Sequence, residues 1–146
     1  MTFAIEIRHN FETAHRLSWE QAPKKCQSIH GHSWWVTLVI ASDSLDEHGM
    51  LIEFGALKKH WRGFLDSHVD HHLVLHCDDP MIDAIRGVQP DARLLILDFQ
   101  PTTEALSKWL HGEAVRIVDS LGYKDVTIAK LHLQETAVNA ASYSLS

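Results

Sequence analysis

A single α+β domain is the fold class this sequence predicts, and three observations predict it. Alternating apolar and polar residues at Phe3–Arg8 and at Val126–Leu133 have the period of half-buried strands, and the aromatic and β-branched run Trp34–Ile40 reads as a strand apolar on both faces. Two stretches, one from Phe54 and one from Thr103, switch to the three-and-four spacing of amphipathic helices. No repeat, low-complexity tract or linker interrupts 146 residues, a length that fits one domain able to bury its own core.

Taken in order, Phe3, Ile5 and Ile7 alternate with Ala4, Glu6 and Arg8, and the strand is expected to run on through Phe11 to His15. Residues 18–27, with Pro23 and polar side chains, read as a long loop. In the next strand Trp34, Val36, Leu38 and Ile40 share one face, while Trp35, Thr37 and Val39 take the other. Apolar side chains on both faces predict a sheet covered by helices on one side and by a barrel interior or another subunit on the other. A polar turn over Ser42–Gly49 leads to a helix with Phe54, Leu57, Trp61, Phe64 and Leu65 on one stripe and Lys58, Lys59 and Arg62 opposite. Asp66–His76 is a histidine-rich segment at that helix's end, and Cys77–Gln100 reads as an insertion with a short helix and a short strand. Pro101-Thr102-Thr103-Glu104 has the signature of a helix start, a threonine cap followed by a carboxylate in the first turn. Leu106, Trp109, Leu110, Ile117, Val118 and Leu121 form that helix's apolar stripe, and Gly122 stops it. A last strand, Val126–Leu133, is followed by a weakly charged tail.

Composition narrows the functions. Apolar residues make up 45% and charged ones 22%, ordinary for a globular protein. A formal charge of -6 argues against nucleic acid or an acidic membrane as partner, since both need a basic surface. It does not exclude an anionic small molecule, which needs only a local cluster such as Arg16, Lys24 and Lys25; those three read equally as a solvated loop. The first residues lack a basic, apolar leader pattern and no run reaches membrane-spanning length, so a cytoplasmic location is expected. Cys26 and Cys77 are too few for a disulfide framework and are expected to be thiols.

The chemistry concentrates in Cys26-Gln-Ser-Ile-His30-Gly-His32, read with Phe11-Glu-Thr-Ala-His15. On a strand, His30 and His32 point to one face, and His15 at the end of the neighbouring strand can join them. Three imidazoles meeting with one position free is the pattern of a catalytic zinc. Among twelve histidines such a pair also arises as surface or packing histidine. Cys26 has two readings at this point: a fourth ligand closing a structural site, or a free thiolate beside a metal.

Taken together, FETAHRL, CQSIHGH, VDHHL, PTTEAL and QETAVNAASY, in this order from about Phe11 to Tyr143, resemble the 6-pyruvoyltetrahydropterin synthase family. Within it they resemble most the bacterial 6-carboxytetrahydropterin synthases of queuosine biosynthesis. The resemblance implies the T-fold: a four-stranded antiparallel sheet with two long helices on one face, sheets joined between subunits into a barrel, and active sites at subunit interfaces. A homohexamer, a dimer of trimers, is the implied assembly. His15, His30 and His32 match the family's Zn2+ ligands and Cys26 its catalytic cysteine, which favours an open metal site. Asp70 and His71 match the motif whose aspartate and histidine act in proton transfer. Glu135 matches the glutamate that holds the pterin ring and in some accounts relays charge, and Thr102 and Thr103 match the segment beside the pterin. Ala105, Glu53 and Val69 depart from commoner residues at their positions without removing a reactive group.

The implied substrate is 7,8-dihydroneopterin triphosphate, whose hydroxylated tail has poorly acidic C–H protons. Zinc on its hydroxyls would stabilise the charge left as a proton departs, with Cys26 and His71 removing and returning protons. Adjacent residues do not face each other on a helix or strand, so contact between Asp70 and His71 requires an irregular turn; Glu135 is the alternative partner for His71. The expected activity is a zinc-dependent 6-carboxytetrahydropterin synthase. A 6-pyruvoyl synthase, a non-catalytic pterin-binding protein on the same fold and a structural zinc domain are the rivals.

Overall fold

In the computed structural model, which describes residues 2–145, the polypeptide runs β1 (Phe3–His15), α1 (Lys24–Gln27), β2 (His30–Ser42), α2 (Phe54–His68), β3 (Leu73–His76), α3 (Met81–Val88), β4 (Leu94–Leu97), α4 (Thr103–Ser120), β5 (Thr127–Gln134) and β6 (Ala140–Ser144). The strands form one sheet in the order β4-β3-β1-β2-β5-β6. β1, β2, β5 and β6 are antiparallel neighbours, whereas β3 runs parallel to β1 and β4 parallel to β3. The expected four-stranded antiparallel sheet is therefore only the central and one flanking part of a six-stranded mixed sheet. β3 (Leu-Val-Leu-His) and β4 (Leu-Leu-Ile-Leu) show no apolar–polar alternation, in keeping with parallel pairing. β6 is Ala-Ala-Ser-Tyr-Ser, too weak in hydrophobic contrast to read as a strand.

The long helices fall where their stripes place them. Leu57, Trp61 and Leu65 of α2 and Leu106, Leu110, Ala114 and Val118 of α4 pack against Ile7, Phe11, Trp34, Val36, Leu38 and Ile40 in one core. Phe54, the first residue of α2, departs from the expected stripe and stays 45% exposed, with the Lys58 ammonium 5.4 Å from its ring centroid. Glu53 caps that helix by accepting from the Gly55 and Ala56 backbone N–H groups, each at 2.7 Å. A Cβ on Gly55 would lie 2.7 Å from Glu53 Oε1, so any side chain there would make the capping carboxylate shift. Thr102 caps α4 by accepting from Ala105 N–H at 3.1 Å, and Gly122, at φ +85°, turns the backbone out of it.

Among the described residues, the other sheet face is only partly covered. Trp35 is 37% exposed there, with the Arg8 guanidinium 4.2 Å above its ring. Among the described residues, no helix is long and apolar enough to cross a membrane.

Two buried tryptophans differ in one bond. Trp34 donates from Nε1 to the Thr13 carbonyl at 3.0 Å, whereas Trp61 Nε1 has no acceptor among the described residues. Trp→Phe removes similar volume at both sites, but at position 34 it also removes a hydrogen bond to the Thr13 carbonyl, whereas at position 61 it removes an N–H that has no acceptor among the described residues. Trp34→Phe is expected to be more destabilising than Trp61→Phe by about 1–3 kcal/mol in urea titrations. Equal losses would contradict the bond's role.

Candidate active site

Strand register brings the three histidines together. β1 and β2 pair His15 with His30 and Thr13 with His32, so His15 faces His30 directly and His32 stands one pleat along on the same side. Their ring centroids lie 4.7 Å (His15–His30), 5.3 Å (His15–His32) and 4.9 Å (His30–His32) apart. Trp34, two residues beyond His32 and fully buried, forms the floor, edge-on to His15 at 5.2 Å and to His32 at 5.3 Å.

Hydrogen bonds select which nitrogens face inward. His15 Nδ1 donates to the Pro101 carbonyl at 2.8 Å and His30 Nδ1 to the Ser28 carbonyl at 2.7 Å. A carbonyl only accepts, so each Nδ1 carries the proton and each Nε2 the free lone pair. His15 Nε2 and His32 Nε2 are buried without a hydrogen-bond partner among the described residues. One donor nitrogen from each of the three lies within 4.8 Å of the others. Ring nitrogens converging in this way, two of them buried without a partner, fit a cation that favours imidazole, and zinc is such a cation. Cys26 stays outside that group of donors.

Burial, opposed by the Pro101 hydrogen bond, lowers the pKa of His15 from 6.5; burial likewise lowers that of His32 despite the Glu135 carboxylate. Glu135 Oε1 is 3.3 Å from His32 Nε2, and Glu135 Oε2 accepts a hydrogen bond from the Thr103 hydroxyl. Pro101, Thr102 and Thr103 thus orient His15, cap α4 and hold Glu135 in turn.

A cleft of about 270 Å³ opens over these groups, lined by His15, His30, Cys26, Thr102, Thr103 and Glu135, with Leu17, Trp19 and Glu104. Seven of the nine residues singled out from sequence are accounted for by the cleft and by His32 beside it. Asp70 and His71 are elsewhere. They lie at the edge of β1 away from β2, where Asp70 Oδ1 accepts from Glu12 N–H at 2.8 Å and His71 N–H donates to the Glu12 carbonyl at 2.7 Å. His71 lines a different, larger concavity of about 660 Å³, shared with His32, His72 and Arg93. The irregular turn is present: His71 has φ +57°, and its Nδ1 lies 2.9 Å from Asp70 Oδ2. Asp70, not Glu135, is the partner of His71. Burial raises the Asp70 pKa, but the Glu12 N–H, His71 and Arg62 together outweigh it and leave it below 3.8.

Sequence reasoning missed Trp34 as the floor and Pro101 as the group orienting His15. Trp34 carried a signal, its even spacing from His30 and His32; a carbonyl carries none. Arg16 is also reassigned: it is engaged by Asp79 and Gln27 and is not free for an anion, while Lys24 and Lys25 are exposed.

These shifts predict an acid-side loss of stability in metal-free protein. Below pH 6.5 the unfolded state protonates imidazoles that the fold keeps neutral at His15 and His32, and at His9, whose pKa burial and the Arg62 charge lower. The unfolded state then binds more protons, so stability falls as pH drops from 7 to 5.5. Urea midpoints should show this, with a shallower fall in His32→Ala. A flat profile would refute it.

A sequence model of the 6-pyruvoyl tetrahydropterin synthase family matches residues 4–146. The protein is 27% identical over 161 aligned residues to a 6-carboxy-5,6,7,8-tetrahydropterin synthase of Aquifex aeolicus, covering 98% of both. It is 33% identical over 106 residues to that of Rickettsia bellii, covering 73% of this protein and 75% of the relative. An uncharacterised protein from Wolinella succinogenes has the same fold, at TM-score 0.81 and 20% identity, over 100% of this protein and 99% of that one. So does the Caenorhabditis elegans 6-pyruvoyl tetrahydropterin synthase, at TM-score 0.69 and 20% identity, over 100% of this protein and 97% of that one. The motifs, the sheet that aligns them and the match along almost the whole length agree: this chain belongs to the 6-pyruvoyl tetrahydropterin synthase family.

Proposed function

We propose that the protein is a zinc-dependent 6-carboxy-5,6,7,8-tetrahydropterin synthase acting on 7,8-dihydroneopterin triphosphate, in the route to queuosine. The observation that carries this reading is a donor set of three imidazoles with Cys26 in the same cleft but outside the set. The names of the full-length relatives, at 27–28% identity, favour the carboxy product.

A zinc ion held by His15, His30 and His32 would supply Lewis acidity to the hydroxyls of the substrate's tail. Cys26 Sγ, facing the same cleft, takes and returns a proton at a carbon of that tail. Glu135, fixed by the Thr103 hydroxyl, presents its carboxylate to the amide and amino N–H groups of the pterin. Asp70 orients His71 through Nδ1, leaving Nε2 to act as the second proton carrier.

Within one subunit Cys26 and His71 line different concavities, so we place the His71 that serves each cleft on a neighbouring copy. Besides the short edge strand β4, two strand sides are open to join copies. Among the described residues, β1 is paired on its outer side only at Ala14 and His15, and β6 only to β5. Closing such edges into a barrel covers the Trp35 face, and a homohexamer of two trimers is the assembly we propose.

Purified protein with zinc and 7,8-dihydroneopterin triphosphate is expected to release acetaldehyde. Cys26→Ala should lower kcat by about 100-fold or more while keeping stoichiometric zinc. Turnover without acetaldehyde would defeat the carboxy assignment, and zinc lost with the sulfur would make Cys26 a ligand.

A further inference from the structure

We infer that Arg16, clamped by the buried carboxylate of Asp79, is a positioning residue for Cys26: its guanidinium joins the end of β1, which carries His15, to the turn that carries the thiol. This rests on the reading of Cys26 as a proton carrier.

Arg16 spends its fork on two partners. Nε donates to Asp79 Oδ2 at 2.7 Å, one terminal nitrogen donates to Asp79 Oδ1 at 3.1 Å, and the other to the Gln27 carbonyl at 3.0 Å. The next residue adds a parallel tie, Leu17 N–H to the Cys26 carbonyl at 2.8 Å. Consecutive residues after His15 therefore grip the consecutive carbonyls of Cys26 and Gln27. The Cys26 turn is closed on itself by Cys26 N–H to the Pro23 carbonyl at 2.8 Å, and by the Gln27 side-chain amide to the Glu20 and Ala22 carbonyls at 3.1 and 2.7 Å. A turn closed in this way moves as a unit, so where it is gripped decides where Sγ points.

The burial of the pair supports a geometric role. The Asp79 side chain is fully buried and that of Arg16 is 15% exposed. A buried ion pair recovers little more than its desolvation cost, so an apolar pair would hold the same elements together about as well. What an apolar pair lacks is direction. Asp79 is itself fixed, accepting at Oδ1 from Met81 N–H at 2.9 Å and donating from its backbone to the His76 carbonyl at 2.9 Å. Only a planar fork reaches a carboxylate and a carbonyl at once; the point charge of lysine does not.

The test uses the full-length protein with exposed Cys77 replaced by Ser, and compares Arg16→Lys and Asp79→Asn with that parent. Zinc content, thermal midpoint, the iodoacetamide alkylation rate of Cys26, and kcat and KM on 7,8-dihydroneopterin triphosphate are measured. Arg16→Lys, which keeps the ion pair but drops the second arm, is expected to fold and to retain zinc. Its kcat should fall about 10- to 100-fold with KM nearly unchanged, as misplacement of a reacting group by about 1 Å does. Its Cys26 alkylation rate should change several-fold in the same sample. Folded variants with parental alkylation and kcat overturn the inference, whatever happens to the thermal midpoint. If Asp79→Asn does not fold, Arg16→Lys decides alone. If the parent itself shows no turnover, the functional reading has failed, and the alkylation rates still decide whether Arg16 positions the thiol.

Discussion

The pairing of His15 with His30 across β1 and β2 is the constraint on which the rest depends. It belongs to an unbroken register in which Trp34, Val36, Leu38 and Ile40 point into the core. Side chains alternate with a period of two, so a one-residue slip would carry His30 and His32 to the outer face and expose all four apolar residues. Burial of that row, worth roughly 1.5–3 kcal/mol for each large side chain, thereby enforces a convergence of imidazoles that disfavours its own protonation. Trp34 ties the two together. Its ring is both core and floor of the site, and its Nε1 holds the carbonyl of Thr13, the residue opposite His32.

A second constraint works against local preference. His71 sits in the left-handed region, where a residue other than glycine stores about 1–3 kcal/mol. The turn is held around it. Asp70 N–H reaches the Leu65 carbonyl at 2.7 Å, both Asp70 and His71 bond to the Glu12 backbone, and the Thr13 hydroxyl donates to the Val69 carbonyl at 2.6 Å. The strained φ lets two sequence neighbours face each other.

The sequence carried the periodic parts of this molecule. β1, β2, α2 and α4 are long enough for their patterns to be read, and the histidine spacing on β2 is itself a strand-period signal. Short elements were read unevenly: the short helix and short strand expected within 77–100 are α3 and β4, whereas β3 lacks alternation, β6 lacks contrast, and the four-residue α1 hides in a loop with Pro23 at its start. Within the site, residue types and strand spacing pointed to His15, His30 and His32. The backbone partners could not be read, because the Pro101, Ser28 and Gln27 carbonyls are acceptors that every sequence has. Asp79, one of three consecutive residues Cys77-Asp78-Asp79, gave no sign that it alone of the two aspartates would be buried.

That placement changes the meaning of the segment 77–100. It contributes none of the groups to which we assign chemistry, and from sequence it reads as an insertion. Yet Asp79 holds Arg16 and through it the Cys26 turn, while Arg93, just before β4, donates to the Asp66 and Asp70 carbonyls at 3.0 and 3.2 Å, under the turn that carries His71. β3 and β4 join these two anchors to the same sheet that aligns the histidines. A segment placed in this way ties down the turns that carry both proposed proton carriers while contributing no reacting group itself. Its carboxylate and guanidinium are therefore constrained by geometry as strictly as the residues they hold.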